Sequence, residues 1–178
     1  MRAEIIAVGT ELLIGQIANT NAQKMSSWLA DIGVDVMFHT TVGDNEERIA
    51  STISKACARC DVVIITGGLG PTHDDLTREA IARSTNRPLG RDPLLEQQLR
   101  ERFANFGREM APENLKQADL PEGASPLPNP RGTAPGVMLQ QGDVWIFAVP
   151  GVPSEMEHMM RELVLPHLSA LAGQVRLV

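Results

Sequence analysis

Asp61-Val62-Val63-Ile64-Ile65-Thr66-Gly67-Gly68-Leu69-Gly70-Pro71-Thr72-His73-Asp74-Asp75-Leu76-Thr77 is the stretch on which the fold turns. Val62 to Ile65 is β-branched and apolar on both faces, and it is too short for a helix, as expected of a central strand in a parallel sheet covered on both sides. The run stops at three glycines, Gly67, Gly68 and Gly70. Without Cβ atoms the backbone there can take positive φ, come close to a ligand and converge its N–H groups on an anion, for which phosphate is the usual partner.

A helix-compatible segment follows, with Thr72 or Asp74 as a possible N-cap. A helix start favours an anion by ~0.3 to 2 kcal/mol. Asp74 and Asp75, however, place negative charge beside the expected phosphate, and their repulsion calls for a divalent cation between them. Magnesium is the first expectation, with Asp74 and Asp75 as ligands. The competing reading is a tight glycine turn and aspartates that only cap a helix. The strand in front and the acidic helix start behind favour the ligand loop.

The 178 residues are 43% hydrophobic and 21% charged, the profile of one globular domain spanning 1–178. A net charge of −6, no Tyr and 3% aromatics give neither a cationic footprint nor stacking platforms, so nucleic acid is not an expected partner. The apolar start, Ile5 to Val8, is too short for a signal peptide or a membrane span. A cytoplasmic protein without membrane association is expected. Cys57 and Cys60 have Cys-x-x-Cys spacing but close a helical pattern, where the dipole raises a thiol pKa, so they read as reduced packing residues.

The first strand ends in Gly9-Thr10-Glu11-Leu12-Leu13-Ile14-Gly15-Gln16-Ile17-Ala18-Asn19-Thr20-Asn21, a second loop at a strand's carboxyl end, where ligands of open α/β sheets bind. Glu11 and Asn21 are its candidates. Turn chemistry with Thr20 or Asn21 as a helix cap is the alternative. Ala22, Met25, Leu29 and Ile32 mark a helix closed by Gly33, and a strand, Val34 to His39, follows. Asp44 is a default N-cap for the helix carrying Ile49, Ile53, Ala56 and Cys60. It also lies on the edge where the glycine loop emerges, so it can join the site. Leu76 to Ser84 reads as a helix whose Arg78 and Arg83 are candidate phosphate contacts, with a solvated face the favoured reading for both.

Leu95, Leu99, Phe103 and Phe106 mark a further helix, packed as an insertion and ended by Gly107. Leu120 to Gly136, rich in Pro and Gly, reads as a long loop inside the domain rather than an element. Its segment Asn129-Pro130-Arg131-Gly132-Thr133-Ala134-Pro135-Gly136 offers an amide, a guanidinium, a hydroxyl and backbone donors. Val137 to Gln140 and Val144 to Val149 read as a hairpin around Gln141-Gly142-Asp143. Val149-Pro150-Gly151-Val152-Pro153-Ser154 is a third strand-end loop, with Ser154 a possible cap. Met156, Met159 or Met160, and Leu163 form a core stripe, and Gln174 to Val178 reads as the start of a strand. The histidines lack zinc-ligand spacing.

Gly9-Thr10-Glu11-Leu12-Leu13 with Gly15 and Asn19-Thr20-Asn21, Gly67-Gly68-Leu69-Gly70-Pro71-Thr72 with Asp74-Asp75 and Thr77, Asn129-Pro130 with Gly132-Thr133-Ala134-Pro135-Gly136, and Pro150-Gly151-Val152-Pro153 together resemble the N-terminal domain of the CinA (competence/damage-inducible) family. The resemblance covers nearly the whole chain in order. It implies the molybdopterin-binding fold shared with MoaB, MogA and the gephyrin G domain: three-layer α/β/α with a mostly parallel sheet, as a homo-oligomer, dimer or trimer. It places Gly67, Gly68, Gly70, Thr133 and Gly151 on phosphate-loop positions, and Asp44 and Asp75 on two catalytic aspartates. Thr72, Thr77, Asn129, Gly132, Gly136 and Pro150 stand in the same motifs and are expected in the nucleotide site.

The relatives typically have Arg-Asp where this chain has Asp74-Asp75. That departure disfavours adenylylation of molybdopterin and favours chemistry with more metal. It agrees with the activity that the CinA resemblance implies, hydrolysis of the diphosphate of ADP-ribose with magnesium, manganese or cobalt. The alternatives are AMP transfer to molybdopterin, or binding of a pterin or nucleotide phosphate without catalysis. CinA proteins commonly also carry a C-terminal nicotinamide mononucleotide deamidase domain, an activity not claimed for residues 1–178.

Overall fold

The computed structural model describes residues 1–175. The chain opens with β1 (Arg2–Val8), a single turn α1 (Thr10–Leu13), α2 (Thr20–Asp31), β2 (Asp35–Val42), α3 (Glu46–Cys57) and β3 (Val62–Thr66). An excursion follows: α4 (Thr77–Ser84), β4 (Leu89–Arg91), α5 (Pro93–Asn105), a 3₁₀ segment Pro112–Ala118, β5 (Asp119–Pro121) and β6 (Ser125–Leu127). The chain then returns through β7 (Gly136–Gln141), β8 (Val144–Val149), α6 (Pro153–Met159), a π-helical stretch Met160–Val164 and α7 (Leu165–Val175).

Six strands form one sheet in the order β2-β1-β3-β8-β7-β6. The pairs β2–β1, β1–β3 and β3–β8 are parallel, and β7 runs antiparallel to both its neighbours. β3 lies between β1 and β8 and is buried along its whole length. The period of two sorts its side chains: Val63 and Ile65 face a layer carrying Ile49, Ile53 and Ile81, whereas Val62 and Ile64 face Met25, Leu29, Met156 and Met159. Helices on both faces make the three-layer α/β/α architecture. Each such fully buried side chain contributes roughly 1.5 to 3 kcal/mol, enough for β3 to anchor the sheet.

The chain leaves β1 for β2 on one side and returns past β1 to β3 on the other. This reversal opens a crevice beyond the carboxyl ends of β1 and β3. β2 runs to Val42, three residues past the expected end at His39, because its register with β1 continues to Val8. Gly33 closes α2 at φ 76°, and the β7–β8 hairpin turns at Gly142, φ 59°.

Several expectations are corrected. The stretch Leu120 to Gly136 is not one loop: it contains part of β5, which pairs with β4, and β6, which pairs with β7. Pro126 sits on the outer strand of the sheet, where a missing N–H costs no ladder bond, so the prolines hid strands rather than excluding them. Phe106 lies beyond α5 and is 60% exposed. The core stripe continues from Met160 through Val164 and Leu168, with Leu163 partly buried against it, as the π-helical stretch Met160–Val164 shifts the helical register. Residues 174 and 175 end α7 instead of beginning a strand, and 176–178, the rest of that expected strand, lie outside the described residues.

Arg78 is the sharpest departure. It belongs to no solvated face: it is 1% exposed, and it donates from Nη1 to the Leu69 carbonyl at 2.8 Å and from Nη2 to the Pro135 carbonyl at 2.9 Å. Burial pushes its guanidinium down to about 10, so it remains a cation at neutral pH. Arg83 is exposed, with Glu46 at 3.5 Å, as expected. Arg78→Met, which keeps the length but strands both carbonyls, is expected to lower the unfolding free energy by about 3 kcal/mol. An unchanged urea midpoint would refute this role.

Candidate functional site

A cleft of about 550 Å³ opens where β1, β3 and β8 end. Its floor is the loop after β3. Gly67 and Gly68 have φ of 100° and 68°, and a Cβ on Gly67 would strike the Val8 carbonyl, so only glycine fits there. The Gly67 N–H is already used, donating to the Val149 carbonyl at 3.1 Å. Thr77 fastens the loop from behind: its hydroxyl donates to the Gly67 carbonyl at 2.7 Å and its N–H to the Gly68 carbonyl at 3.1 Å. The N–H groups of Gly68, Leu69 and Gly70 have no protein acceptor among the described residues, and these are the donors left for an anion.

Two carboxylates are held alike. Asp75 Oδ2 accepts from the Thr72 N–H at 2.9 Å and the Thr72 hydroxyl at 2.7 Å. Asp44 Oδ2 accepts from the Thr10 N–H at 2.9 Å and the Thr10 hydroxyl at 2.8 Å. One threonine thus fixes each aspartate through a single oxygen. Asp44 therefore does not cap α3; Asn45 does, accepting from the Arg48 N–H at 3.0 Å. Neither Thr72 nor Asp74 caps α4, whose N-cap Leu76 has no side-chain bond. Asp74 borders the cleft at 64% side-chain exposure, 3.2 Å from His73.

Asn19, rather than Thr20 or Asn21, caps α2 by accepting from the Ala22 N–H at 3.1 Å. Asn21 is free for the site, where its Nδ2 donates to the Gly151 carbonyl at 2.9 Å and to Thr66 Oγ1 at 3.2 Å. Its Oδ1 is buried without a protein partner. Thr66 in turn donates to the Pro150 carbonyl at 3.1 Å, tying the ends of β3 and β8 together. Ser154 does not cap α6; Val152 precedes it and Pro153 occupies its first turn, where no N–H is needed.

Of the sequence candidates, Glu11, Asn21, Asp44, Gly67, Gly68, Gly70, Asp74, Asp75, Thr133, Pro150 and Gly151 border one cleft. Thr72, Thr77, Asn129, Gly132 and Gly136 do not border it. Asn129 is buried, with Nδ2 donating to the Ala134 carbonyl at 2.9 Å and to Glu155 Oε2 at 2.7 Å, while its Oδ1 accepts from the Arg131 and Gly132 N–H groups at 3.2 and 3.0 Å. Gly136 begins β7, packed under the Ala148 carbonyl and Met159.

Sequence reading missed Glu155, Lys116 and Gln117. Glu155 and Gln117 border the cleft, and Lys116 Nζ donates to the Thr72 and Asp75 carbonyls at 3.0 and 2.5 Å while pairing with Glu79 at 3.2 Å. The 3₁₀ segment carrying Lys116 and Gln117 has no periodic signal, and the β4–β5 pairing brings it back to the loop. Among the described residues no cluster of three or more His, Cys, Asp or Glu side chains is arranged to hold a metal ion by itself. No described helix is long and apolar enough to cross a membrane.

Crevice, glycine floor and strand-end carboxylates define a class. Residues 4–170 match the family described as probable molybdopterin binding domain, and the chain belongs to that family. Within it the chain is similar to the CinA-like protein of Frankia casuarinae, 52% identical across all of this chain and 42% of that protein, and to the CinA-like protein of Gloeothece citriformis, 49% identical across 96% of this chain and 41% of that one. It thus spans about two fifths of the length of these curated relatives. The crystal structure of CinA from Thermoplasma acidophilum, a protein described as having unknown function, superposes with a TM-score of 0.85 at 34% identity, covering 90% of this chain and 94% of that one. MoaB from Thermus thermophilus, described as a molybdopterin biosynthesis enzyme, shares the fold with a TM-score of 0.64 at 20% identity over 96% of this chain and 95% of its own.

Asn21→Ala removes the tie to Gly151 and is expected to cost about 1 kcal/mol of stability. The urea midpoint should fall accordingly, and an unchanged midpoint would show that Asn21 does not hold the loop.

Proposed function

We propose that the cleft binds a nucleotide diphosphate and hydrolyses it with a divalent cation, ADP-ribose or a close analogue being the substrate. One observation carries this reading: five carboxylates, Glu11, Asp44, Asp74, Asp75 and Glu155, border the cleft that contains the free N–H groups of Gly68, Leu69 and Gly70, and no Lys, Arg or His does. At 4 Å, a carboxylate and a phosphate charge repel by about 4 kcal/mol at an effective dielectric constant of 20. A cation between them reverses the sign.

The donor set fits such an ion in one way. Magnesium-like cations accept one or two carboxylates and complete their shell with water and substrate phosphate, so they need no all-protein cage. Asp74 and Asp75 would hold it; when bound, it neutralises phosphate charge and acidifies a water. The chain's own groups do the rest. Gly68, Leu69 and Gly70 hold phosphate oxygens through charge-assisted hydrogen bonds. Asp44, fixed by Thr10 through Oδ2, has its other oxygen available to orient a water toward phosphorus. Water adds to one phosphorus, the bridging P–O bond breaks, and AMP and ribose 5-phosphate leave.

A second reading is favoured by the family match and the MoaB fold: the cleft takes a pterin phosphate, with AMP transfer to molybdopterin or with binding alone. Incubation with ADP-ribose and magnesium, manganese or cobalt, read as AMP and ribose 5-phosphate, separates the readings. Turnover by the parent, falling about 10²-fold or more in Asp75→Ala, is the expected result. No turnover with any of the three metals would overturn the hydrolase and leave the pterin phosphate.

A further inference from the structure

A second cleft of about 570 Å³ adjoins the first, and Gln117 and Thr133 border both. The two clefts differ in chemistry. The first has carboxylates and free backbone donors; the second is walled mainly by Leu95, Leu99, Leu163 and the prolines 126, 128 and 130. These apolar walls suit the face of a flat ring, while Asp92, Gln98, Arg102 and His158 also border the cleft and can meet polar groups on the ring's edge.

Gln117 stands between them. It is 1% exposed, and its Oε1 is buried with no protein donor. A buried amide oxygen without a partner is destabilising, and native structures retain few of them. The backbone around it is held firmly: Lys116, its neighbour, is tied to the loop of Asp75, and the Ala118 carbonyl accepts from the Asp92 N–H at 2.9 Å. Gln117, with its unmet acceptor, is therefore fixed at the wall shared by the carboxylate-rich cleft and the mainly apolar one.

We infer that the second cleft receives the amino-bearing nitrogen heterocycle of the ligand whose phosphates lie on the glycine loop, and that Gln117 Oε1 selects it by accepting from its amino group. This rests on the reading that a nucleotide or pterin phosphate fills the first cleft, and it adds which part of the ligand is recognised and by what. Adenine and pterin share the required chemistry, a flat ring with an exocyclic NH₂. A site that hydrogen-bonds a ligand donor discriminates strongly against the analogue lacking it, because the protein acceptor is then left unpaired.

The test is calorimetric binding with two ligand pairs: ADP-ribose against its analogue with hydrogen in place of the 6-amino group, and 6-hydroxymethylpterin phosphate against its 2-deamino analogue. The parent should bind the amino member of one pair about 10-fold or more tightly than its partner. Gln117→Leu, close in volume, should bring that ratio to about 1 by weakening the amino ligand alone. A melting temperature close to the parent's would confirm that the variant is folded.

Preference in the nucleotide pair supports both the inference and the nucleotide reading. Preference in the pterin pair, with no nucleotide bound, sinks the nucleotide reading and leaves the role of Gln117 standing. Equal binding within both pairs by the parent, a variant that weakens both members equally, or no binding of any of the four ligands overturns the inference.

Discussion

Gly67 meets the carbonyl of Val8 where any side chain would collide, and its N–H closes a hydrogen bond to Val149. Through this one residue the ends of β1, β3 and β8 are drawn together at the distance that a cleft floor requires. Thr66 and Asn21 extend the same knot to Pro150 and Gly151. Because Gly67 spends its N–H on holding the sheet, the N–H groups without a protein acceptor among the described residues are those of the next three residues. The glycine loop is therefore two devices in sequence, a strand clamp and a row of free donors.

Around that floor, fixed side chains repeat a simple arrangement. Thr10 and Thr72 each occupy one oxygen of an aspartate with both a backbone N–H and a hydroxyl. Holding a carboxylate by one oxygen orients it without consuming it, which is what a ligand-binding group needs. Glu4 shows the opposite case: fully buried, it is engaged by Arg59 through Nε and Nη2 at 2.9 and 2.8 Å and by Thr40 at 2.6 Å, so both oxygens are committed. The same neighbourhood quiets the thiols. Burial, with Cys60 and Glu4 nearby, pushes Cys57 up to about 11, leaving it protonated and unreactive at neutral pH.

What was legible in the sequence follows physical locality. The buried run Val62 to Ile65, the glycines and aspartates behind it and the strand-end loops at Gly9 and Gly151 carry their signals within a few residues, and nine of the candidates they offered border one cleft. Caps were misread by one or two positions because Asn19 and Asn45 compete with chemically similar neighbours, and only backbone angles decide among them. Arg78 was misread because an arginine on a short helix looks solvated until the carbonyls of Leu69 and Pro135, the latter 57 residues away, are seen to face it. Gln117 and Lys116 reach the site through the β4–β5 pairing, a contact that no periodicity announces.

The electrostatics of the cleft follow from where the nearby cations went. Arg78 is committed to two carbonyls, Lys116 to two more and to Glu79, and Arg102 donates to the carbonyls of Asn129 and Pro130. These positive side chains hold loops in place and do not border the cleft that the loops form. An anionic ligand must then be met by backbone N–H groups, which carry only partial charge, against five carboxylates. Backbone donors can orient phosphate oxygens, but they cannot offset that much negative charge at such short range. On the proposed reading a cation arriving with the ligand would offset that charge, with Asp74 and Asp75 to hold it and Asp44, fixed by a single oxygen, to orient a water.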